Sequence, residues 1–216
     1  MTAAKTNKKP LPKKGRLIAF EGIDGSGKST QARLLYKQLQ SEGIPVWLTA
    51  EPTSNQIGTL IRQGFSGAIS FDHRTIAGLF VADRLDHILN PEFGMKAKVE
   101  QGYTVICDRY YLSSFAYQGS HMPMEWVMQA NSMAVELLKP DLTIFIDVTP
   151  ELAMRRIQET RANTELYETE KNLKKVRTNY RKAISLMQPS ERIVSLNGKE
   201  GVESLHKKIM MLLKTV

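Results

Sequence analysis

The sequence predicts an α/β fold built on a parallel β-sheet, and two observations carry that prediction. Short apolar runs bounded by turns alternate with longer segments of helical periodicity, as in parallel βαβ units. The first apolar run leads directly into a glycine-rich loop of the kind that holds phosphates. The five candidate strands are residues 16–20, 46–49, 104–107, 142–146 and 192–196.

The helical segments between these strands follow the same alternation. Several are introduced by Pro, Ser, Thr or Asp, which are common at helix N-termini. In such folds ligands collect at the carboxyl ends of the strands, so we expect functional residues in the loops that follow them. The segments begin near Lys28, His73, Pro123, Pro150, Leu166 and Gly201.

Length and composition indicate one domain that carries a basic tail. A chain of 216 residues can bury one sizeable core. The formal net charge is +8, but residues 1–15 hold five lysines and no acid, which leaves 25 basic and 22 acidic residues beyond them. We therefore expect a disordered tail over residues 1–15, a single α/β domain over 16–216, and no nucleic-acid partner.

Cysteine content and hydropathy predict the cellular location of the protein. Cys107 is the sole cysteine, so an internal disulfide is excluded and a reducing cytoplasm is expected. No stretch approaches the ~20 apolar residues that a membrane helix needs, and no signal-peptide pattern is present at the N-terminus. We expect a cytoplasmic protein with no membrane partner.

The glycine-rich loop fits the pattern Gly-x-x-x-x-Gly-Lys-[Ser/Thr]. It reads Gly22-Ile23-Asp24-Gly25-Ser26-Gly27-Lys28-Ser29. Its glycines let backbone N–H groups and the start of the next helix face a phosphate, while Lys28 adds charge and Ser29 offers a hydroxyl to Mg²⁺. A plain glycine-rich turn is the alternative, and the glycine spacing does not fit a dinucleotide-binding loop. The loop therefore predicts a nucleoside triphosphate site.

Polar residues also follow the other predicted strands. Strand two leads to Glu51, strand three to Asp108 and Arg109, and strand four to Asp147. An Asp-Arg pair that leaves a buried strand indicates function, although an ion pair that caps the next helix is an alternative.

One helical pattern predicts a site for a flat ligand. Phe80 and Arg84 lie at positions i and i+4, so the ring and the guanidinium share a helix face and suit a nucleobase. The alternative is a core phenylalanine next to a solvated or paired arginine.

Three motifs together resemble thymidylate kinase. They are residues 20–31 around the loop, Leu79-Phe80-Val81-Ala82-Asp83-Arg84, and Asp108-Arg109-Tyr110 followed by Ser113-Ser114 and Ala116-Tyr117-Gln118. The similarity runs from about residue 16 to the C-terminus. It implies a P-loop NTPase fold, a three-layer sandwich with a five-stranded parallel sheet in the order 2-3-1-4-5 and a helical lid. It also implies transfer of the ATP γ-phosphate to dTMP, with Mg²⁺ as cofactor, by a homodimer.

The resemblance assigns roles residue by residue. Phe80 would stack on thymine, Arg84 would bond its edge, Arg109 would hold the acceptor phosphate, and Tyr117 would lie against the deoxyribose. The implied catalytic residues are Lys28, Arg109, Arg156, Arg161 and Asp24. Those implied to bind ATP are Gly22, Ile23, Asp24, Gly25, Ser26, Gly27, Lys28, Ser29, Thr30, Arg156 and Arg161. The implied dTMP-binding residues are Asp24, Glu51, Phe80, Arg84, Asp108, Arg109, Ser114, Tyr117 and Gln118, and the implied Mg²⁺ residues are Ser29 and Asp108.

Two departures from the family pattern concern positive charge. Some members carry a basic residue inside the phosphate loop, whereas this chain has Gly25-Ser26 there, so a transition-state arginine must come from elsewhere. Residues 150–166 resemble the basic lid of the bacterial-type members, and we expect Arg156 and Arg161 to act, ahead of Arg155. The alternative is a solvated helix in which Arg156 pairs with nearby acids. Ala50 also stands where the family commonly has arginine, and Arg62 is the candidate to replace that charge.

Two other functions stay open on the sequence alone. One is a related phosphate-loop kinase with a different acceptor, since a fold does not fix its substrate. The other is a nucleotide-dependent switch with little catalysis, although no Asn-Lys-x-Asp guanine motif is present.

Overall fold

The computed structural model describes residues 15–160 and 169–215. Five parallel strands form one sheet in the order β2-β3-β1-β4-β5, which confirms the predicted order. The strands are β1 (Arg16–Glu21), β2 (Val46–Ala50), β3 (Thr104–Asp108), β4 (Leu142–Asp147) and β5 (Ile193–Asn197).

Ten helices are described around this sheet. They are α1 (Lys28–Ser41), α2 (Gln56–Phe65), α3 (His73–Leu89), α4 (Met95–Glu100), α5 (Tyr111–Tyr117), α6 (Met124–Ala130), α7 (Ser132–Leu137), α8 (Pro150–Thr160), α9 (Glu170–Met187) and α10 (Val202–Leu213). A 3₁₀ turn, Gln118–Ser120, follows α5. Among the described residues no helix is both long and apolar enough to cross a membrane.

Both faces of the sheet are buried, which produces the three predicted layers. Ile18 and Phe20 pack with α1 and α10, whereas Leu17 and Ala19 pack on the opposite face with α5 and α9. Because side chains alternate along a strand, a sheet covered on both sides needs apolar residues at every position. The unbroken apolar runs in the sequence reflect this double burial.

Each predicted strand ended one residue too early, and the last also began one residue early, at Arg192. The structure extends the strands to Glu21, Ala50, Asp108, Asp147 and Asn197. The parallel ladder pairs backbone groups, so a polar side chain at its end does not stop it: Phe20 pairs with Asp108, and Asp147 with Asn197.

Helix starts at Lys28, His73 and Pro150 are confirmed, and Pro123 and Gly201 are the residues that immediately precede α6 and α10. The start predicted near Leu166 lies outside the described residues, as do residues 1–14 of the expected tail and residues 161–166 of the expected lid. The helices α2, α4, α5 and α7 had no predicted start.

Candidate active site

A cavity of about 870 Å³ opens at the carboxyl ends of the strands. Its walls join the phosphate loop to the residues that follow β2 and β3 and to the Phe80–Arg84 face of α3. The arrangement brings the predicted donor and acceptor residues into one cavity, as the rule for parallel sheets requires.

The phosphate loop is shaped by glycines with positive φ. Gly25 has φ +73°, and a Cβ atom there would lie 2.4 Å from the carbonyl oxygen of Ala153 on α8. Only glycine permits both that conformation and that approach. A side chain at position 25, basic or not, would push α8 away from the loop.

Lys28 begins α1 and its side chain is buried. Its Nζ donates to the carbonyl oxygen of Ile23 at 3.4 Å and lies 3.7 Å from an Asp24 oxygen. Burial and the charge of Arg109 lower the pKa of Lys28, against the opposing influence of Asp24. Lys28 and Arg109 are therefore close enough to repel each other, which favours an anion between them.

Arg109 is held by the phosphate loop. It is the one described non-glycine residue with positive φ, at 73°, a conformation that is uncommon outside glycine and clusters at functional sites. Its Nη2 donates to Asp24 Oδ1, and its guanidinium lies 4.9 Å from the centre of the Tyr117 ring. Tyr117 Oη donates to Asp24 Oδ2 at 2.7 Å.

This contact sets the ionisation of Asp24. Burial alone would raise the pKa of Asp24, but the charges of Arg109 and Lys28 outweigh it and hold the pKa well below the usual range for a carboxyl. Arg109 forms its ion pair with Asp24 and not with Asp108, the partner in the alternative of an Asp-Arg pair that caps the next helix.

Beneath Arg109 lies a buried polar network that the sequence did not predict. Arg109 Nη1 donates to Ser113 Oγ at 3.2 Å, and Ser113 Oγ donates to Glu21 Oε2 at 2.6 Å. Tyr180 Oη, from α9, donates to the same Glu21 oxygen at 2.9 Å. Burial raises the pKa of Glu21, although these hydrogen bonds act to lower it. The network ties Arg109 to β1, α5 and α9.

The Phe80–Arg84 face of α3 lines the far side of the cavity. Phe80 packs against Phe65 with ring centres 6.0 Å apart. The Arg84 side chain is 1% exposed and donates to Glu51 Oε2 from Nε at 2.9 Å and from Nη2 at 2.6 Å. Arg84 is thus both paired, as the sequence alternative held, and part of the cavity wall.

Glu51, for which the family resemblance implies a dTMP contact, is held by other side chains of the protein. It lines the cavity but is 3% exposed, and its second oxygen, Oε1, accepts from His87 Nδ1 at 3.1 Å. His87 Nε2 lies 2.7 Å from Thr49 Oγ1. Both carboxylate oxygens of Glu51 are therefore hydrogen-bonded to protein side chains, Oε2 to Arg84 and Oε1 to His87.

Glu51, His87 and Cys107 form the one described cluster of three metal-type ligand atoms, all within 4.8 Å of one another. The spacing of the histidines in the sequence had not indicated this contact. Burial raises the pKa of the Cys107 thiol well above its usual value, so the thiol stays protonated. The ligand atoms of these three residues already take part in hydrogen bonds or in the ion pair with Arg84.

Ser29 and Asp108, the predicted Mg²⁺ residues, line the same cavity. Asp108 Oδ1 is buried and has no hydrogen-bond partner among the described residues. A buried carboxylate oxygen without a partner is costly, so this oxygen suits a cation or a donor brought by a ligand. Carboxylate and hydroxyl oxygens are the ligand types that Mg²⁺ prefers.

Arg156 reaches the phosphate loop from α8. Its guanidinium donates to the carbonyl oxygens of Gly25 at 3.4 Å, Ser26 at 3.3 Å and Gly198 at 2.8 Å. These contacts differ from the alternative in which Arg156 pairs only with acids of its own helix. The other predicted lid arginine, Arg161, lies outside the described residues.

Ser114 and Gln118 complete the predicted acceptor side. Ser114 Oγ accepts from Arg84 Nη1 at 3.0 Å, and Gln118 Oε1 is buried without a hydrogen-bond partner among the described residues. Asn131, at the junction of α6 and α7, accepts a further bond from Arg84 Nη1. Sequence reasoning missed Asn131 because nothing in its neighbourhood signals a contact 47 positions away.

Two further arginines line the cavity near Ala50. Arg62 on α2 donates from Nη1 to the carbonyl oxygen of Pro52 at 3.0 Å, and Arg33 lies one turn after Ser29 on α1. Both also line a neighbouring cavity of about 470 Å³. Arg62 and Ala50 thus line the same cavity, and the replacement of the family's missing arginine by Arg62 stays a prediction.

Residues 20–209 match the sequence model of a protein family described as thymidylate kinase. A probable thymidylate kinase of Thermococcus kodakarensis is 37% identical over 208 residues, which cover 92% of this chain and 97% of the relative. A thymidylate kinase of Desulfotalea psychrophila is 36% identical over 93% of this chain and 95% of its own length. One of Caldicellulosiruptor saccharolyticus is 40% identical over 71% of this chain.

Proposed function

Because the chain belongs to the thymidylate kinase family, we propose that its cavity transfers the γ-phosphate of ATP to dTMP through the residues described above. The enzyme is a phosphotransferase that forms dTDP and ADP. The single observation that supports the site assignment most is that one cavity holds both the phosphate loop and the Phe80–Arg84 face, with Arg109 among its lining residues.

The reaction demands positioning more than base chemistry. The acceptor phosphate is already anionic, so the enzyme must hold two mutually repelling phosphate groups in line. Lys28, Arg109 and Arg156 surround the loop with positive charge from three different elements. We assign Lys28 and Arg156 to the donor phosphates and Arg109 to the acceptor phosphate.

In this assignment Asp24 releases Arg109 when substrate binds. Asp24 holds Arg109 through a direct ion pair, and a dianionic phosphate is a stronger partner than one carboxylate. Tyr117 keeps its bond to Asp24 and presents its ring beside the acceptor sugar. Asp24 then stays in place as a guide for that sugar.

Mg²⁺ fits the pair Ser29 and Asp108 on the chemistry of their oxygens and on the unpartnered Asp108 Oδ1. When bound, the ion neutralises phosphate charge during transfer. The protein residues do the positioning: Ser29 lies at the start of α1 beside Lys28, and Asp108 ends β3 next to Arg109.

The base site is formed by a ring and a restricted donor. Phe80 supplies a flat apolar surface for thymine, and Arg84 faces its polar edge. Ser114 and Gln118 line the same cavity. A thymine O4 atom accepts hydrogen bonds, whereas the corresponding cytosine amino group donates them, so a donor such as Arg84 favours thymine.

We also propose a homodimer in the cytoplasm. Leu89 is 51% exposed, Trp126 46% and Met133 57%, and they lie on α3, α6 and α7, which pack together. Large apolar side chains grouped in this way mark interaction surfaces. Light scattering should give twice the chain mass of 24.4 kDa, and a monomer mass would contradict the proposal.

A panel of nucleoside monophosphates tests the proposed function. Purified protein with Mg-ATP should release ADP fastest with dTMP and slower with dUMP, dCMP and dAMP, and thymidine should not serve. Faster turnover of another monophosphate would point to the related-kinase alternative. Binding of ATP without binding of dTMP would favour a nucleotide switch.

A further inference from the structure

Arg84 is surrounded by acceptors that leave it little freedom. A guanidinium has five N–H groups. Among the described residues, Glu51 takes one from Nε and one from Nη2, and Ser114 and Asn131 take the two of Nη1. One N–H, on Nη2, is left for a ligand in the cavity that Arg84 lines. The direction of that N–H is set by the carboxylate of Glu51.

The Glu51 carboxylate is in turn oriented by His87. Its Oε1 lies 3.1 Å from His87 Nδ1, while Oε2 receives both bonds from Arg84. Glu51, Arg84 and His87 are each 3% exposed or less. In a buried cluster a polar group without a partner is costly, so each bond constrains the next.

The Glu51 carboxylate, which can only accept, fixes which ring nitrogen of His87 carries the proton, and the Thr49 hydroxyl supports that choice. To donate to Glu51, Nδ1 must be protonated, and a neutral imidazole then offers an acceptor at Nε2. Thr49 Oγ1 lies 2.7 Å from Nε2 and has a proton to donate. The hydroxyl therefore stabilises the tautomer in which His87 faces the carboxylate as a donor.

We propose that His87, held against Glu51 with the help of Thr49, is a positioning residue for base selection, acting through Glu51 on Arg84. The proposal rests on the proposed function, since it assigns to Arg84 the reading of thymine. Without the Thr49 hydroxyl, the buried Nε2 loses its hydrogen bond, His87 is held less firmly against the carboxylate, and Arg84 loses part of its fixed direction. The enzyme should then discriminate less well between thymine, which has an acceptor at O4, and cytosine, which has a donor amino group at that position.

The chain carries its own control four residues further on. Thr53 Oγ1 donates to Asp83 Oδ1 at 2.5 Å, and Thr53 N donates to Asp83 Oδ2 at 2.8 Å. This pair fastens the loop after β2 to the same helix, α3, but makes no described hydrogen bond to Arg84. Thr49→Val and Thr53→Val thus remove equivalent hydroxyls, one inside the Arg84 network and one outside it.

The test compares kcat/KM for dTMP and dCMP in the wild type and both variants. Thr49→Val should lower the dTMP:dCMP ratio about 3- to 10-fold, the range of one net hydrogen bond. The loss should appear in KM for dTMP, with kcat within about 2-fold. Thr53→Val should keep the ratio within about 2-fold of the wild type, whatever it does to thermal stability.

Two results would overturn the positioning role. Equal ratios in the wild type and Thr49→Val would do so, and so would equal losses in Thr49→Val and Thr53→Val, because that would indicate general loosening of the loop. A wild type that shows no preference for dTMP would instead contradict the proposed function.

Imidazole ¹⁵N NMR gives a second readout that does not depend on activity. His87, assigned by the signal lost in His87→Gln, should show Nδ1 protonated and Nε2 unprotonated. Thr49→Val should move the Nε2 signal toward that of an imidazole nitrogen without a hydrogen bond, and Thr53→Val should not. A wild-type His87 protonated at Nε2, alone or together with Nδ1, would contradict the proposal even if the enzyme is selective.

Discussion

Arg156→Ala removes the guanidinium that connects α8 to the phosphate loop. In the free enzyme its donors bind neutral carbonyl oxygens of Gly25, Ser26 and Gly198 at 2.8 to 3.4 Å. We expect those donors to face charged phosphate oxygens during transfer, where a bond is stronger than to a neutral carbonyl.

The expected loss in kcat follows from that exchange. Removing one donor to the developing charge costs about 2.7–4 kcal/mol of transition-state stabilisation, which is ~10²- to 10³-fold in kcat. Arg156 contacts the phosphate loop, whereas we assign dTMP to Arg109 and the Phe80–Arg84 face, so the dissociation constant for dTMP should stay within about 2-fold. The kcat of Arg156→Lys should fall between those of the wild type and Arg156→Ala, because a lysine ammonium keeps the charge but lacks the planar fork of donors.

Arg155→Ala is the matched control. Arg155 precedes Arg156 on the same helix, carries the same charge and is exposed. Initial rates of ADP release at saturating ATP and dTMP measure kcat, and calorimetric titration measures dTMP binding. A kcat for Arg156→Ala within about 3-fold of Arg155→Ala would refute the assignment of Arg156 to the transition state.

Three further predictions concern the acceptor phosphate and Asp24. Arg109→Ala should raise the dissociation constant of dTMP at least about 10-fold and also lower kcat, because the acceptor phosphate is charged before and during transfer; unaltered dTMP titrations would contradict this. Arg62→Ala should raise KM for dTMP about 3- to 10-fold, and adding Ala50→Arg should restore it; a KM that the second change fails to lower would exclude the exchange of charge. The folded pKa of Asp24 is depressed, so the stability it contributes is present above its unfolded pKa of about 3.8 and is lost as pH falls through the folded pKa. Urea unfolding of the wild type and Asp24→Asn should therefore show a free-energy difference that shrinks below about pH 4, and a difference that stays constant down to pH 2 would contradict the ion pair.

Local patterns were enough to predict the sheet and the phosphate loop. Five apolar runs correspond to the five strands, because a sheet buried on both faces requires apolar residues at successive positions. Gly25 and Lys28 fall in a spacing that only the loop geometry explains. Arg109 and Arg156 lie near that loop, and the roles that the family resemblance implied for them stay predictions.

Long-range polar contacts could not be predicted in the same way. Tyr180 bonds Glu21 from 159 positions away, and Glu51 meets Arg84 from 33 positions away. No periodicity or spacing signals such pairs, since they depend on how helices pack over the sheet. The contacts of Glu51 with Arg84 and His87 were consequently missed, and its contact with dTMP stays a prediction.

Some short helices could not be predicted from sequence periodicity either. The short helix α5 contains apolar and polar residues that are all buried, including Ser113 and Ser114, so it lacks the amphipathic pattern that reveals a surface helix. Its residues were found through the family motif instead.

Titration with one bifunctional ligand tests most directly that a single cavity holds both nucleotides with their phosphates facing each other. The ligand joins the 5′ oxygens of adenosine and thymidine through five phosphates. The account predicts one ligand per chain, a dissociation constant at least about 100-fold below that of dTMP alone, and weaker binding in both Arg109→Ala and Arg156→Ala. Two ligands per chain, or affinity no better than that of dTMP or ATP alone, would contradict it.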